Sequence, residues 1–128
     1  MALRDQLRIM VVDDMSTSRG LITQALDSIG IRNVVTAGDG PSALQTIAKS
    51  PVQLVISDYN MPGMDGLQLL HALRSGAKTA KVGFLLITGG ADKEVVEKGR
   101  QLGMNNLVKK PFDTESLKQA IEAVVGRL

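Results

Sequence analysis

Five polar side chains stand out against an otherwise aliphatic chain: Asp13, Asp14, Asp58, Thr88 and Lys110. Each comes within two positions of the end of a short apolar run. Three carboxylates gathered in one small cleft would repel one another, so together they ask for a hard divalent cation. Mg²⁺ suits such a set, because it takes oxygen ligands, retains waters and shares its shell with phosphate oxygens. A carboxylate beside the ion can also act as a nucleophile toward phosphorus and become an aspartyl phosphate. An ammonium and a hydroxyl are then suited to stabilising charge on the phosphoryl oxygens. Asp58, Lys110 and Thr88 are the candidates for these three tasks.

Such a cluster exists only if the fold brings four separate stretches of sequence to one place. The apolar runs Leu7–Val12, Val34–Ala37, Leu54–Ser57, Gly83–Ile87 and Asn106–Lys109 have the length and aliphatic character of strands buried on both faces. A helical pattern follows each one. Leu21, Ile22, Ala25, Leu26 and Ile29 recur at helical spacing after the first, and Leu117, Ile121, Val124 and Val125 after the last. Pro41–Lys49, Gly66–Ser75 and Asp92–Leu102 supply the other three. Alternating β and α units with short connections predict a doubly wound α/β fold, (βα)5, with a five-stranded parallel sheet in the flavodoxin-like order 2-1-3-4-5. Ligands of such sheets bind outside the carboxyl ends of the strands, where all five polar residues fall.

Bulk properties narrow the function further. A chain of 128 residues with 44% apolar and 22% charged residues fits one compact domain spanning 1–128, with a core expected over 7–126. Fifteen basic residues against thirteen acidic ones are scattered, and Tyr59, Phe84 and Phe112 are the sole aromatics. Neither a basic stripe nor a stacking platform for nucleic acid is available. Cysteine is absent, which excludes disulfides and thiolate metal sites and agrees with a reducing cytoplasm. No stretch approaches the length of a membrane span, and Met1–Gln6 lacks a signal-peptide core, so a cytoplasmic monomer that neither inserts into membranes nor binds nucleic acid is expected.

The runs Val11-Val12-Asp13-Asp14, Ser57-Asp58-Tyr59-Asn60-Met61-Pro62-Gly63-Met64-Asp65-Gly66, Ile87-Thr88 and Lys109-Lys110-Pro111-Phe112 resemble, in order and spacing, the four signature segments of receiver domains. The likeness covers residues 7–126, and the form of the second segment is most similar to CheY-type chemotaxis response regulators. That resemblance implies Asp58 as phosphoacceptor. It implies Asp14 as direct ligand of Mg²⁺, Asp13 as ligand through water, and Asn60 as ligand through its backbone carbonyl, with Asp58 completing the set. It gives Thr88 and Lys110 to the phosphoryl group and suggests a cis Lys110–Pro111 peptide. It also implies a chemotaxis histidine kinase as phosphodonor, self-directed chemistry in place of enzymatic turnover, and a flagellar motor switch protein or a phosphatase as further partners.

Each residue alone has a blander explanation, since aspartate and threonine after a strand are common helix caps and turn formers. The sole histidine, His71, lies off the stripe formed by Leu67, Leu70 and Leu73 and reads as a boundary residue. Lys109 should face away from Lys110 into solvent. Gly38-Asp39-Gly40 lacks the third glycine of a dinucleotide fingerprint and reads as a turn. Met61 and Met64 stand in the loop after Asp58, where they would shape access. Three other functions compete: a phosphate sink for a shared kinase, an aspartyl-phosphate enzyme acting on small metabolites, and a flavodoxin-like electron carrier. Short loops disfavour the second, and the acidic cluster with few aromatics disfavours the third. Leu107 occupies the position where motor-binding receivers of this type carry a switching aromatic residue, which keeps the sink in play.

Overall fold

The computed structural model describes residues 3–90 and 93–128. Its sheet consists of β1 (Ile9–Val12), β2 (Val34–Ala37), β3 (Leu54–Asp58), β4 (Gly83–Thr88) and β5 (Asn106–Lys109), all parallel, in the order β2-β1-β3-β4-β5. The expected order is therefore observed. Central strands β1 and β3 are buried along their whole length, whereas the edge strands β2 and β5 keep partly exposed residues.

Side chains alternate across the sheet and build two apolar layers. On one face Ile9, Val11, Leu54, Ile56, Leu85, Ile87 and Val108 pack under α2 (Ser16–Ile29) and α6 (Thr114–Val125). On the other, Met10, Val12, Val55, Phe84 and Leu86 pack under α3 (Gly40–Lys49), α4 (Gly66–Ser75) and α5 (Lys93–Leu102). The expected start of α5 at Asp92 lies outside the described residues. Of α5 only Val95 and Gly99 are buried, and of α6 only Leu117 and Ile121, so these two helices bury the fewest residues of the five.

Local chemistry fixes where helices begin and end. Asp39 caps α3 by accepting from the Ser42 N–H, and Asp65 and Asp113 form reciprocal capping boxes with Gln68 and Ser116. Gly30 ends α2 at φ 99°, donating to the carbonyls of Leu26 and Asp27. Near the C-terminus of α4, Arg74 makes a clasp. Its guanidinium donates to the carbonyls of Val82 (2.7 Å), Ala80 (3.2 Å) and Gly103 (2.9 Å) and to Asn105 Oδ1 (3.1 Å). Asn105 Oδ1 also accepts the Phe84 N–H at 2.8 Å, so one cation ties α4 to the chain entering both β4 and β5. Burial holds the Arg74 pKa below its ordinary value.

Three strand boundaries differ from the sequence expectation. The first strand begins at Ile9, not Leu7, because Leu3–Gln6 forms a short helix, α1, and the Leu7 N–H bonds the Leu3 carbonyl at 3.1 Å. Leu7 is apolar because it plugs the bottom of the core, not because it is extended. β3 and β4 each run one residue further, through Asp58 and Thr88, which pair in register with Ile87 and Lys109. No helix among the described residues is long and apolar enough to cross a membrane.

Candidate metal and phosphoacceptor site

Parallel strands place all their carboxyl ends on one rim, and the five candidate residues come out there. Asp13 is fully buried immediately after β1. Its Oδ1 accepts the Met15 N–H at 3.0 Å, while Oδ2 is buried with no hydrogen-bond partner. Asp14, next in the chain, is exposed. Asp58, at the last position of β3, is 6% exposed. One carboxylate oxygen from each of the three lies within 4.8 Å of the others.

Lys110 closes the opposite side, its Nζ 3.0 Å from Asp58 Oδ1. The Lys110 N–H bonds the Thr88 carbonyl at 2.8 Å, which extends the β4–β5 ladder to the rim and aims the lysine inward. Burial pushes the Asp58 carboxyl above its ordinary value; Lys110 pulls it back by hydrogen bond and charge, and Asp13 and Asp14 add to the rise. Its proton is therefore set by a balance between a dry position and a nearby ammonium. The Lys110–Pro111 peptide is cis, as the sequence resemblance suggested.

The donor set is all oxygen and rich in negative charge, and a buried carboxylate oxygen without a partner needs a cation or a proton. Mg²⁺ fits both conditions. Asn60 stands two residues past Asp58, exposed in the loop between β3 and α4. Thr88 is 5% exposed, and its hydroxyl is engaged within its own loop, donating to the Gly90 carbonyl at 3.2 Å and accepting the Gly90 N–H at 3.3 Å.

Other residues shape the site without carrying its chemistry. Gly66 starts α4 against the end of β3, where a Cβ would stand 2.6 Å from the Asp58 carbonyl and 2.8 Å from Leu86 Cδ1. Arg19 Nη1 donates to the Asp13 carbonyl at 2.7 Å. Sequence offered no signal for that bond, because arginine six residues after an aspartate on a helix is ordinary surface composition. Met61 is buried, and Met64 packs inward over Gly40. Lys109 is exposed, as expected from strand alternation. His71 is exposed as well, bordering a groove of about 490 Å³ with Tyr59, Glu94 and Lys98. Leu107 is half-buried and packs on the α5 side of the core.

The response regulator receiver domain family matches residues 9–122. A Rhizobium etli protein named "Probable chemotaxis protein CheY" is 41% identical over 128 residues, covering 100% of this chain and 99% of that one. The structure of the chemotaxis protein CheY4 of Vibrio cholerae superposes with a TM-score of 0.87 at 30% identity, over 92% of this chain and 98% of that chain. The receiver domain of a Pseudomonas aeruginosa sensor histidine kinase, whose structure has a magnesium ion coordinated in the active site cleft, gives a TM-score of 0.84 at 25% identity over 94% and 98%. Sheet order, rim chemistry and these likenesses agree: the chain belongs to the response regulator receiver family of two-component signalling and is a homologue of the chemotaxis CheY proteins.

Proposed function

We propose that this chain is a single-domain, cytoplasmic phosphorylation switch that accepts a phosphoryl group on Asp58 from a chemotaxis histidine kinase and relays the change to a partner. The observation that carries it is a buried carboxylate, Asp58, held 3.0 Å from an ammonium and beside two further carboxylates at the carboxyl rim. An oxygen of ionised Asp58 attacks the phosphorus of a phosphohistidine; the O–P bond forms as the P–N bond breaks, and the imidazole leaves with the electron pair. Lys110 holds a phosphoryl oxygen and keeps Asp58 ionised for attack. Thr88 must release Gly90 before its hydroxyl can turn to the phosphoryl group. Asp14, Asp13 through water, Asp58 and the Asn60 carbonyl would hold Mg²⁺, which when bound neutralises charge between the nucleophile and the incoming phosphate.

A cleft of about 640 Å³ opens beside Lys110, lined by Ser18, Leu21, Ala25, Gly89, Pro111 and Phe112. Met15 and Leu21, each 60% exposed, border this side, giving a phosphodonor domain an apolar footing next to its target. Intact-mass measurement after incubation with a chemotaxis kinase, ATP and Mg²⁺ tests the proposal. One phosphoryl group should appear on wild type and none on Asp58→Asn or in EDTA; equal incorporation in Asp58→Asn refutes Asp58 as acceptor.

A phosphate sink is the second reading, and Leu107 favours it. An aliphatic side chain packed at this edge presents no hydroxyl or ring to move on activation, so the change at the α5–β5 surface is smaller than an aromatic would give. Binding of a motor switch peptide with and without a phosphoryl mimic, in wild type and Leu107→Tyr, separates the two. Activated binding by wild type supports relay; absence of binding in every state supports the sink.

A further inference from the structure

The turn Gly38-Asp39-Gly40 joins β2 to α3 at the edge of the sheet and has no part in the chemistry above. Two side chains from elsewhere in the rim nevertheless rest on it. Arg19, on α2, bonds the Asp13 carbonyl through Nη1 at 2.7 Å, and the same nitrogen lies 3.6 Å from where a Cβ on Gly38 would stand. Met64, in the loop after Asp58, covers Gly40 so closely that a Cβ there would meet its Sδ at 2.5 Å, its Cγ at 2.9 Å and its Cβ at 3.1 Å. Neither glycine has a positive φ, so at position 40 the requirement for glycine is space and not backbone conformation.

We propose that this turn is the common seat of the two segments carrying the cation ligands, with Arg19 and Met64 as positioning residues for Mg²⁺ at Asp13, Asp14 and Asp58. The inference rests on the metal-dependent reading of the site. Arg19 fixes the main chain of Asp13 while the Met15 N–H fixes Oδ1, so the unpartnered Oδ2 is held in one direction instead of turning to find a donor. Met64 does the same for the other segment. Rotating its thioether would clear Sδ, but its Cβ is bound to the main chain of the loop, four residues from Asn60. A methyl at position 40 therefore moves that loop and the Asn60 carbonyl with it. The edge strand supplies no ligand, yet it sets where ligands from β1 and β3 stand.

Calorimetric titration of the full chain with Mg²⁺, paired with thermal melts in EDTA, tests this. Gly40→Ala and Arg19→Met should each weaken Mg²⁺ binding about tenfold, the scale for partners that orient metal ligands, with metal-free melting temperatures close to wild type. Arg19→Lys, which keeps a donor, should recover most of the affinity. Gly40→Ala with Met64→Gly should bind Mg²⁺ better than Gly40→Ala alone, because the Cβ collision is then gone together with those of Sδ and Cγ. Wild-type affinity in Gly40→Ala, or losses that simply add in the double variant, would overturn the shared seat. A wild type that binds no Mg²⁺ would overturn the metal-dependent reading itself, a different result from unchanged affinity in the variants.

Discussion

In the metal-free protein, replacing Asp58 by asparagine sets the loss of one ion pair against the relief of two repulsions and one burial. Lys110 Nζ at 3.0 Å attracts Asp58 Oδ1 by roughly 5 kcal/mol at an effective dielectric near 20. Its side chain is 32% exposed, so solvent screens part of that. An Asp13 oxygen within 4.8 Å repels Asp58 by about 3.5 kcal/mol on the same scale, and exposed Asp14 by about 1 kcal/mol at the dielectric of water. The charge terms nearly cancel, which leaves burial to decide, and burial is the largest cause of the raised Asp58 pKa. The native state then holds its proton more tightly than the unfolded chain does. Between the ordinary carboxylate pKa and the raised value, stability falls as pH rises, and ionised Asp58 is a net burden at neutral pH. Asp58→Asn should accordingly stabilise the protein in EDTA at pH 7 by about 1 kcal/mol, or roughly 3–5 °C in melting temperature. Urea and thermal melts at pH 7 and at acid pH check this, with the gap narrowing as pH falls. Mg²⁺ at a hundred times its Kd should add about 2.7 kcal/mol to wild type and less to the variant. An asparagine variant that is less stable in EDTA at pH 7 would mean that the lysine pair outweighs burial, and the electrostatic reasoning would fail.

Three further outcomes follow from single contacts. Gly66→Ala, which drives a methyl into the Asp58 carbonyl, should cost about 2 kcal/mol in urea titration and slow phosphorylation by a small-molecule donor. Arg74→Ala strands the Val82 and Gly103 carbonyls and should cost about 2–3 kcal/mol without changing Mg²⁺ affinity, read by melts and calorimetry. Because α5 buries only Val95 and Gly99, amide exchange over residues 93–102 should be fast without a phosphoryl mimic and slower with it; equal protection in both states would refute this.

The fold was legible because its strands are buried on both faces. Val11, Ile56 and Leu85 lie in aliphatic runs that no turn residue interrupts, and the polar rim residues stand within two positions of where such a run breaks. Parallel pairing did the rest, since it sends every break to the same side. What stayed hidden had no period to show it. Leu3–Gln6 is too short for a helical repeat. Met64 and Gly40 are far apart in sequence, and a methionine over a glycine leaves no trace in either neighbourhood. Thr88 showed its chemistry but not its current partner, a carbonyl of Gly90, and Arg19 on the carbonyl of Asp13 showed neither, because main-chain acceptors have no sequence signature.

The Arg74 clasp bears on which parts of this surface are free to vary. Three of its acceptors are main-chain carbonyls, at Ala80, Val82 and Gly103, and only Asn105 answers with a side chain. A carbonyl is offered by any residue, so the clasp places no demand on the side chain at 80. Gly103 keeps its identity for a separate reason, its φ of 93°. Tolerance at this end of the molecule is thus divided: Arg74, Gly103 and Asn105 are constrained together, while position 80 between them can drift in charge and size. New contacts could be acquired there without touching the proposed phosphorylation site on the opposite rim.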